Sequence, residues 1–219
     1  MVYKRLGDYI REVNVRNREL KVTNLLGLSV SKEFMPSIAN TIGTDMSTYK
    51  VVERNQLVYI ADTSRRGDKI AIGLLDKYDN AIVSQAYTVF EVIDHEQLLP
   101  EYLMMWFRRP EFDRYARFMS NGSAREVFDW DCMCGVELLV PSISEQRKIV
   151  HDYQVITDRI ELLRKMNENL ENQAYTLFQQ TIDGFEKDGV LSDLAVITMG
   201  TSPEGETMRI MPYVKEMVR

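Results

Sequence analysis

The chain has 219 residues, 45% of them hydrophobic, and a net charge of −6. That supports one sizeable core plus an appendage, or two small domains. No run approaches the roughly 18 consecutive apolar residues of a membrane span, and the opening MVYKRLGDYI lacks the apolar centre of a secretory signal, so the chain reads as cytoplasmic with no membrane partner.

NLLGLSV (24–30), YKVVERNQLVYIA (49–61), KIAIGLL (69–75) and AIVSQAYTVFEVI (81–93) are rich in Val, Ile, Leu and Tyr and bounded by polar turns, so they read as strands. SRRGDK (64–69) is a polar loop joining two of them, and KYDN (77–80) has the composition of a hairpin turn. The period then changes. LLPEYLMMWFRR (98–109) sets Leu99, Leu103 and Trp106 near one face, as a helix does. PEFDRYARFM (110–119) begins with a proline suited to the first helical position, and its Phe112, Tyr115 and Phe118 recur as an aromatic stripe that reads as core packing.

Arg108, Arg109, Arg114, Arg117 and Arg125 lie in this region against only Glu111 and Asp113. Such a patch matters more for phosphate binding than the total charge does, although a solvated helix face is the plainer reading. SNGSAR (120–125) is a loop. Cys132 and Cys134, one residue apart, make a poor disulfide pair in a reducing compartment and fall short of a zinc site, with His95 and His151 far off in sequence. They read as ordinary thiols. GVELLV (135–140) is a final strand. The whole is a mixed α+β unit over 1–141, about 140 residues, an ordinary domain size.

A second kind of element follows. Pro141 disfavours helix in the residues before it. Ser142 and Glu145 have capping-box spacing, with Ser144 an alternative cap, so a helix starts there. Residues 142–183 are then free of proline and glycine. Tyr153, Ile160, Asn167 and Ala174 fall at heptad position a, and Ile149, Ile156, Leu163, Leu170 and Leu177 at d. A helix of this length is a rod of about 60 Å whose narrow apolar seam needs a partner helix, the competing reading being a helix folded back on its own domain. Asn167 at an a position fixes register at some cost in stability. Residues 184–219 form a linker and a stub. In the stub, VLSDLA (190–195) repeats the Leu-x-Asp pattern of RLGDYI (5–10), as though a second copy of the first domain begins.

This layout resembles the DNA specificity (S) subunit of type I restriction-modification systems. RLGDYI, the passage NGSAREVFDWDCMCGVELLVPSISEQRKIV (121–150), the long helix and LSDLAVITMGTSPEGE (191–206) carry the resemblance. It implies a target recognition domain over 1–141, a conserved spacer helix and coiled coil over 142–183, and the start of a second recognition domain. Family members carry two such domains and two antiparallel helices, so the chain is similar to a half-subunit.

The resemblance further implies sequence-specific recognition of double-stranded DNA at a bipartite site, with no catalytic residue and no metal or cofactor of its own. S-adenosylmethionine, ATP and Mg would belong to the partner methyltransferase (modification) and restriction (motor/nuclease) subunits, the former facing Glu145, Gln146 and Arg147. A homodimer would supply the second half-subunit. The residues agree that catalysis is not written here: there is no methyltransferase N-P-P-Y motif, no G-x-G-x-x-G and no G-x-x-x-x-G-K-[ST].

Two loops have the chemistry for reading DNA. SRRGDK offers Ser64, Arg65, Arg66 and Lys69, where arginine bonds guanine O6 and N7 together and lysine or serine suits phosphate. SNGSAR offers Ser120, Asn121, Ser123 and Arg125, where asparagine pairs bidentately with adenine. Gln85 is a further candidate. For every one of these an ordinary surface loop is the competing reading. An interaction protein or decoy, which holds the modification subunit through the coiled coil without reading DNA, is the second functional reading.

Overall fold

The structure, a computed structural model, describes residues 3–38, 43–62, 69–120 and 126–182. Ser64, Arg65, Arg66, Asn121, Ser123 and Arg125, and the stub from 184 onward, lie outside the described residues. By contacts, the chain divides into two units, Met1–Leu162 and Leu163–Arg219.

The first unit is built on antiparallel pairs. Strands β1 (Tyr3–Arg5), β2 (Ile10–Val13), β3 (Leu26–Leu28), β4 (Phe34–Pro36), β5 (Lys50–Glu53), β6 (Leu57–Tyr59), β7 (Ile72–Leu74), β8 (Asn80–Val83) and β9 (Thr88–Val92) precede three helices. These are α1 (Pro100–Phe107), α2 (Pro110–Ser120) and α3 (Trp130–Cys134), after which β10 (Glu137–Leu139) leads into α4 (Ile143–Ile182). A four-stranded sheet runs in the order β2-β9-β6-β7; β1 pairs with β10, β3 with β4, and β5 with β8. The first and last strands of the head are therefore partners, with Tyr3 opposite Leu139.

The sheet separates two cores by the two-residue period of a strand. Leu57 and Tyr59 on β6, Ile72 on β7, and Phe90 and Val92 on β9 point to one side, where they meet Leu103, Phe107, Phe112 and Phe128. Val58, Ala71 and Val89 point to the other, against Leu26, Leu28, Val52 and Val83. The helical side is aromatic. Phe107 and Phe112 have ring centroids 4.7 Å apart, and Phe128 stands edge-on to Phe112 at 5.9 Å. Such pairs add to simple area burial because ring edges face ring faces.

Several expectations are corrected. The run 49–61 is two strands, because Asn55 turns with φ 70, a left-handed conformation that asparagine tolerates. The run 81–93 is likewise two strands, broken at Ser84–Tyr87, where the Tyr87 N–H donates to the Ser84 carbonyl at 3.1 Å. KYDN does not close a hairpin: β7 pairs with β6 and β8 with β5, so the turn passes the chain between sheets. Phe118 leaves the aromatic stripe, being 72% exposed, whereas Phe112 is buried. Three residues per step precess around a 3.6-residue helix, so the third ring falls off the buried face.

Candidate nucleic-acid interface and the head–helix joint

The start of α4 is set by the reciprocal cap its spacing predicts. The Ser142 N–H donates to Glu145 Oε2 at 3.0 Å, and the Glu145 N–H donates to Ser142 Oγ at 3.4 Å. The hydrogen bonds from Ser142 hold the Glu145 carboxyl below the usual glutamate range. Its neighbour Gln146 is wholly buried. Its Oε1 accepts from the Leu99 N–H, and its Nε2 donates to the carbonyls of Gln97 and Pro141, all three at 2.9 Å. The side chain ties α4 to the residues that open α1. Arg147 reaches Glu96 at 3.2 Å, and the Tyr153 hydroxyl accepts from Arg108 at 3.2 Å. Of the three residues read as facing a partner subunit, Gln146 is thus turned into the head, a placement that its burial dictates and that spacing alone does not reveal.

Beyond the joint the a/d seam is open. Ile156 is 60% exposed, Leu170 59% and Leu177 64%. Ile149, Ile160, Leu163, Asn167 and Ala174 are exposed as well. Val155, Leu162 and Met166, also exposed, fall at heptad positions c, c and g beside the d row. They widen the apolar arc beyond a two-position seam.

The candidate DNA-reading residues divide. Lys69 and Gln85 are exposed, Gln85 in the turn between β8 and β9. Ser120 is the last residue of α2, is 1% exposed, and donates to the Arg117 carbonyl at 2.9 Å. That hydroxyl serves the helix end. The described arginines of the basic stretch are engaged too. Arg108 pairs with Glu33 at 3.4 Å, Arg109 and Arg114 with Glu111 at 3.4 and 3.3 Å, and Arg117 with Glu126. Three carboxylates, some of them distant in sequence, pair with these four arginines, Glu111 serving two of them.

The two candidate reading segments have neighbouring roots. Ala61 and Asp62 enter the first; Val127 and Phe128 leave the second. Asp62 and Val127 form an antiparallel bridge, and the Phe128 N–H donates to the Ala61 carbonyl at 2.8 Å. Asp62 Oδ1 is buried there with no hydrogen-bond partner among the described residues.

Elsewhere in the head, a cleft of about 300 Å³ is lined by Trp106, Arg109, Phe112, Tyr115 and Glu137, among others. Cys132 and Cys134 are free thiols, and burial pushes both above the usual cysteine value, so they are poor nucleophiles. Among the described residues no three His, Cys, Asp or Glu side chains are grouped to hold a metal ion, and no helix is long and apolar enough to cross a membrane.

In sequence and in fold the chain is similar to type I restriction specificity subunits. It is 32% identical over 95 residues to the type I restriction enzyme MjaIX specificity subunit of Methanocaldococcus jannaschii, a match covering 43% of this chain and 22% of that one. It is 24% identical over 216 residues to the HindI specificity subunit of Haemophilus influenzae, covering 95% of this chain and 46% of the relative. The chain therefore spans less than half the length of these curated relatives.

Among solved structures, the HsdS subunit of Thermoanaerobacter tengcongensis superposes with a TM-score of 0.54 at 18% identity, covering 86% of this chain and 50% of that one. A chain from a study of type I restriction-modification complex assembly superposes with a TM-score of 0.50 at 16% identity, covering 92% of this chain and 56% of its own length. No protein-family model matches the chain.

Proposed function

We propose that the chain is a non-catalytic, DNA-sequence-reading subunit of a type I restriction-modification complex, acting as a pair of half-subunits. The observation that carries this reading is the head locked by Gln146 onto a 40-residue helix whose apolar seam is exposed. A helix of that kind needs another helix, and a second copy of the same chain offers an identical seam. Antiparallel pairing sets one head at each end. A two-fold dimer of readers requires a two-fold symmetric site, two half-sites around an unread spacer.

The additional apolar row of Val155, Leu162 and Met166 gives a modification subunit its own face on the same helix, beside exposed Glu145 and Arg147. Methyl transfer, with S-adenosylmethionine, and cleavage, with ATP and Mg, then belong to the partner subunits. Co-expression with a modification subunit followed by methylome sequencing tests the reading. The expected result is methylation at a new, symmetric, bipartite motif. Methylation that is absent, or confined to an asymmetric motif, overturns the symmetric pair. Stable complex formation without any new motif favours the interaction protein or decoy instead, for which the wide apolar arc on α4 would suffice.

A further inference from the structure

The tight corner between α1 and α2 brings two aromatic rings together. Helix α1 ends at Phe107, Pro110 opens α2 in the first helical position, and the Phe112 N–H donates back to the Arg109 carbonyl at 3.0 Å. Trp106 and Phe112 meet across this corner with ring centroids 5.3 Å apart. Tyr115 follows Phe112 by three residues, on the neighbouring part of the helix surface. The start of β10 stands against them. Val136 is buried and Glu137 is exposed, the alternation of a strand. These residues line the cleft of about 300 Å³ in the head.

The charges around the cleft are not balanced. Arg109, the cation on its rim, is answered by Glu111 at 3.4 Å, and Glu111 also takes Arg114 at 3.3 Å. Glu137 has no ion pair and no side-chain hydrogen bond among the described residues. Arg5, opposite it on β1, directs its Nε to the Cys134 carbonyl at 3.2 Å instead. The Tyr115 hydroxyl is also without a hydrogen bond among the described residues. Burial pushes its pKa up, with Cys132 and Glu137 adding to the rise. The uncommitted carboxylate and the hydroxyl thus share one electrostatic neighbourhood.

Aromatic walls with an uncommitted carboxylate suit a cation that has a flat, weakly hydrated body. A ring quadrupole draws a cation to its face, and a guanidinium also stacks there and gives two parallel N–H bonds to one carboxylate. An ammonium is a compact, strongly hydrated point charge and does neither. Glu137 repels a phosphate or a nucleotide, and an uncharged apolar group leaves its carboxylate unpaired. A free amino acid brings a carboxylate of its own, and Arg109, the cation on the rim, is already engaged by Glu111. The chemistry therefore favours a guanidinium carried on a polypeptide.

We propose that the cleft between α1, α2 and β10 is a docking pocket for an arginine side chain of a partner protein. Trp106 and Tyr115 supply the aromatic surface for the guanidinium, and Glu137 accepts its N–H groups. The pocket belongs to the head and shares no residue with the a/d seam of α4, so it gives the chain a second point of contact for another polypeptide. It does not depend on the reading of DNA.

The test follows the two tryptophan indole N–H resonances of the full chain. Trp106→Phe assigns the Trp106 signal. Trp130, which does not line the cleft, is the internal control. Nα-acetyl-arginine methylamide should move the Trp106 signal saturably, with millimolar affinity, and leave Trp130 in place. The citrulline analogue has the same shape without the charge and should bind about tenfold more weakly, and the lysine analogue about threefold more weakly. Glu137→Gln should weaken the arginine probe by about fivefold, with the Trp130 signal unmoved because the substituted side chain is exposed. Citrulline or lysine analogues that bind as tightly as the arginine probe, or an unchanged affinity in Glu137→Gln, overturn the proposal. Free arginine or adenosine binding more tightly than the blocked arginine overturns it too, by making the cleft a site for a small metabolite or a base. A Trp106 signal that no probe moves also sinks it.

Discussion

Gln146 makes three hydrogen bonds with no exposed surface. Truncating it strands one N–H and two carbonyls between α4 and the head. Unsatisfied buried groups cost about 1–3 kcal/mol each when water cannot reach them, and some relaxation is available, so Gln146→Ala should destabilise the head by about 2–4 kcal/mol, read as a lower urea midpoint. A loss under about 1 kcal/mol would show that water replaces the amide. Glu145 makes a pH-dependent contribution. Its folded pKa lies below the unfolded value, because Ser142 donates to the carboxylate. The contribution is complete above the ordinary glutamate value of about 4.3 and disappears as pH falls through the lowered folded value. The stability gap between wild type and Glu145→Gln should therefore narrow between about pH 5 and pH 3; a constant gap contradicts the cap's role. The cap was legible in the sequence because its two partners are three residues apart. The burial of Gln146 was not, since its partners at 97 and 99 come from another element.

Among elements, the long helix was the most legible: the expected 142–183 became Ile143–Ile182. Its periodicity is local and sustained over several heptads. The head was read less well. β1, β2, β4 and α3 are too short for periodicity to show. β1 is exposed at all three residues and exists because β10 closes on it. Pairing order across sheets depends on contacts far apart in sequence, which is why KYDN has a hairpin turn's composition without closing a hairpin. The exposed seam yields its own prediction. Ile160→Asp/Leu163→Asp places charge where two helices would meet, so light scattering at micromolar concentration should shift from a dimer to a monomer mass. Far-ultraviolet circular dichroism of the head should be preserved, because neither side chain belongs to either core. A wild-type chain that is already monomeric contradicts pairing through this helix.

For the molecule as a whole, charge sets how DNA would be bound. The net charge is −6, and Arg108, Arg109, Arg114 and Arg117 all pair with carboxylates, Arg109 and Arg114 sharing Glu111. Binding that neutralises Z phosphates gives a slope of about −0.9Z in a plot of log affinity against log salt. An arginine whose charge is answered by a glutamate neutralises little phosphate charge and so releases few of the counterions condensed on the DNA. The isolated chain should therefore bind duplex DNA weakly, with a slope no steeper than about −3 even though five arginines lie between 108 and 125. Adding a modification subunit should steepen the slope markedly if that partner supplies the phosphate contacts and this chain supplies the choice of sequence. Fluorescence anisotropy of a labelled duplex over about 50–300 mM salt measures both. A steep slope for the chain alone would mean that the ion pairs on α2 open on DNA, and that the basic stretch is a phosphate-binding surface after all.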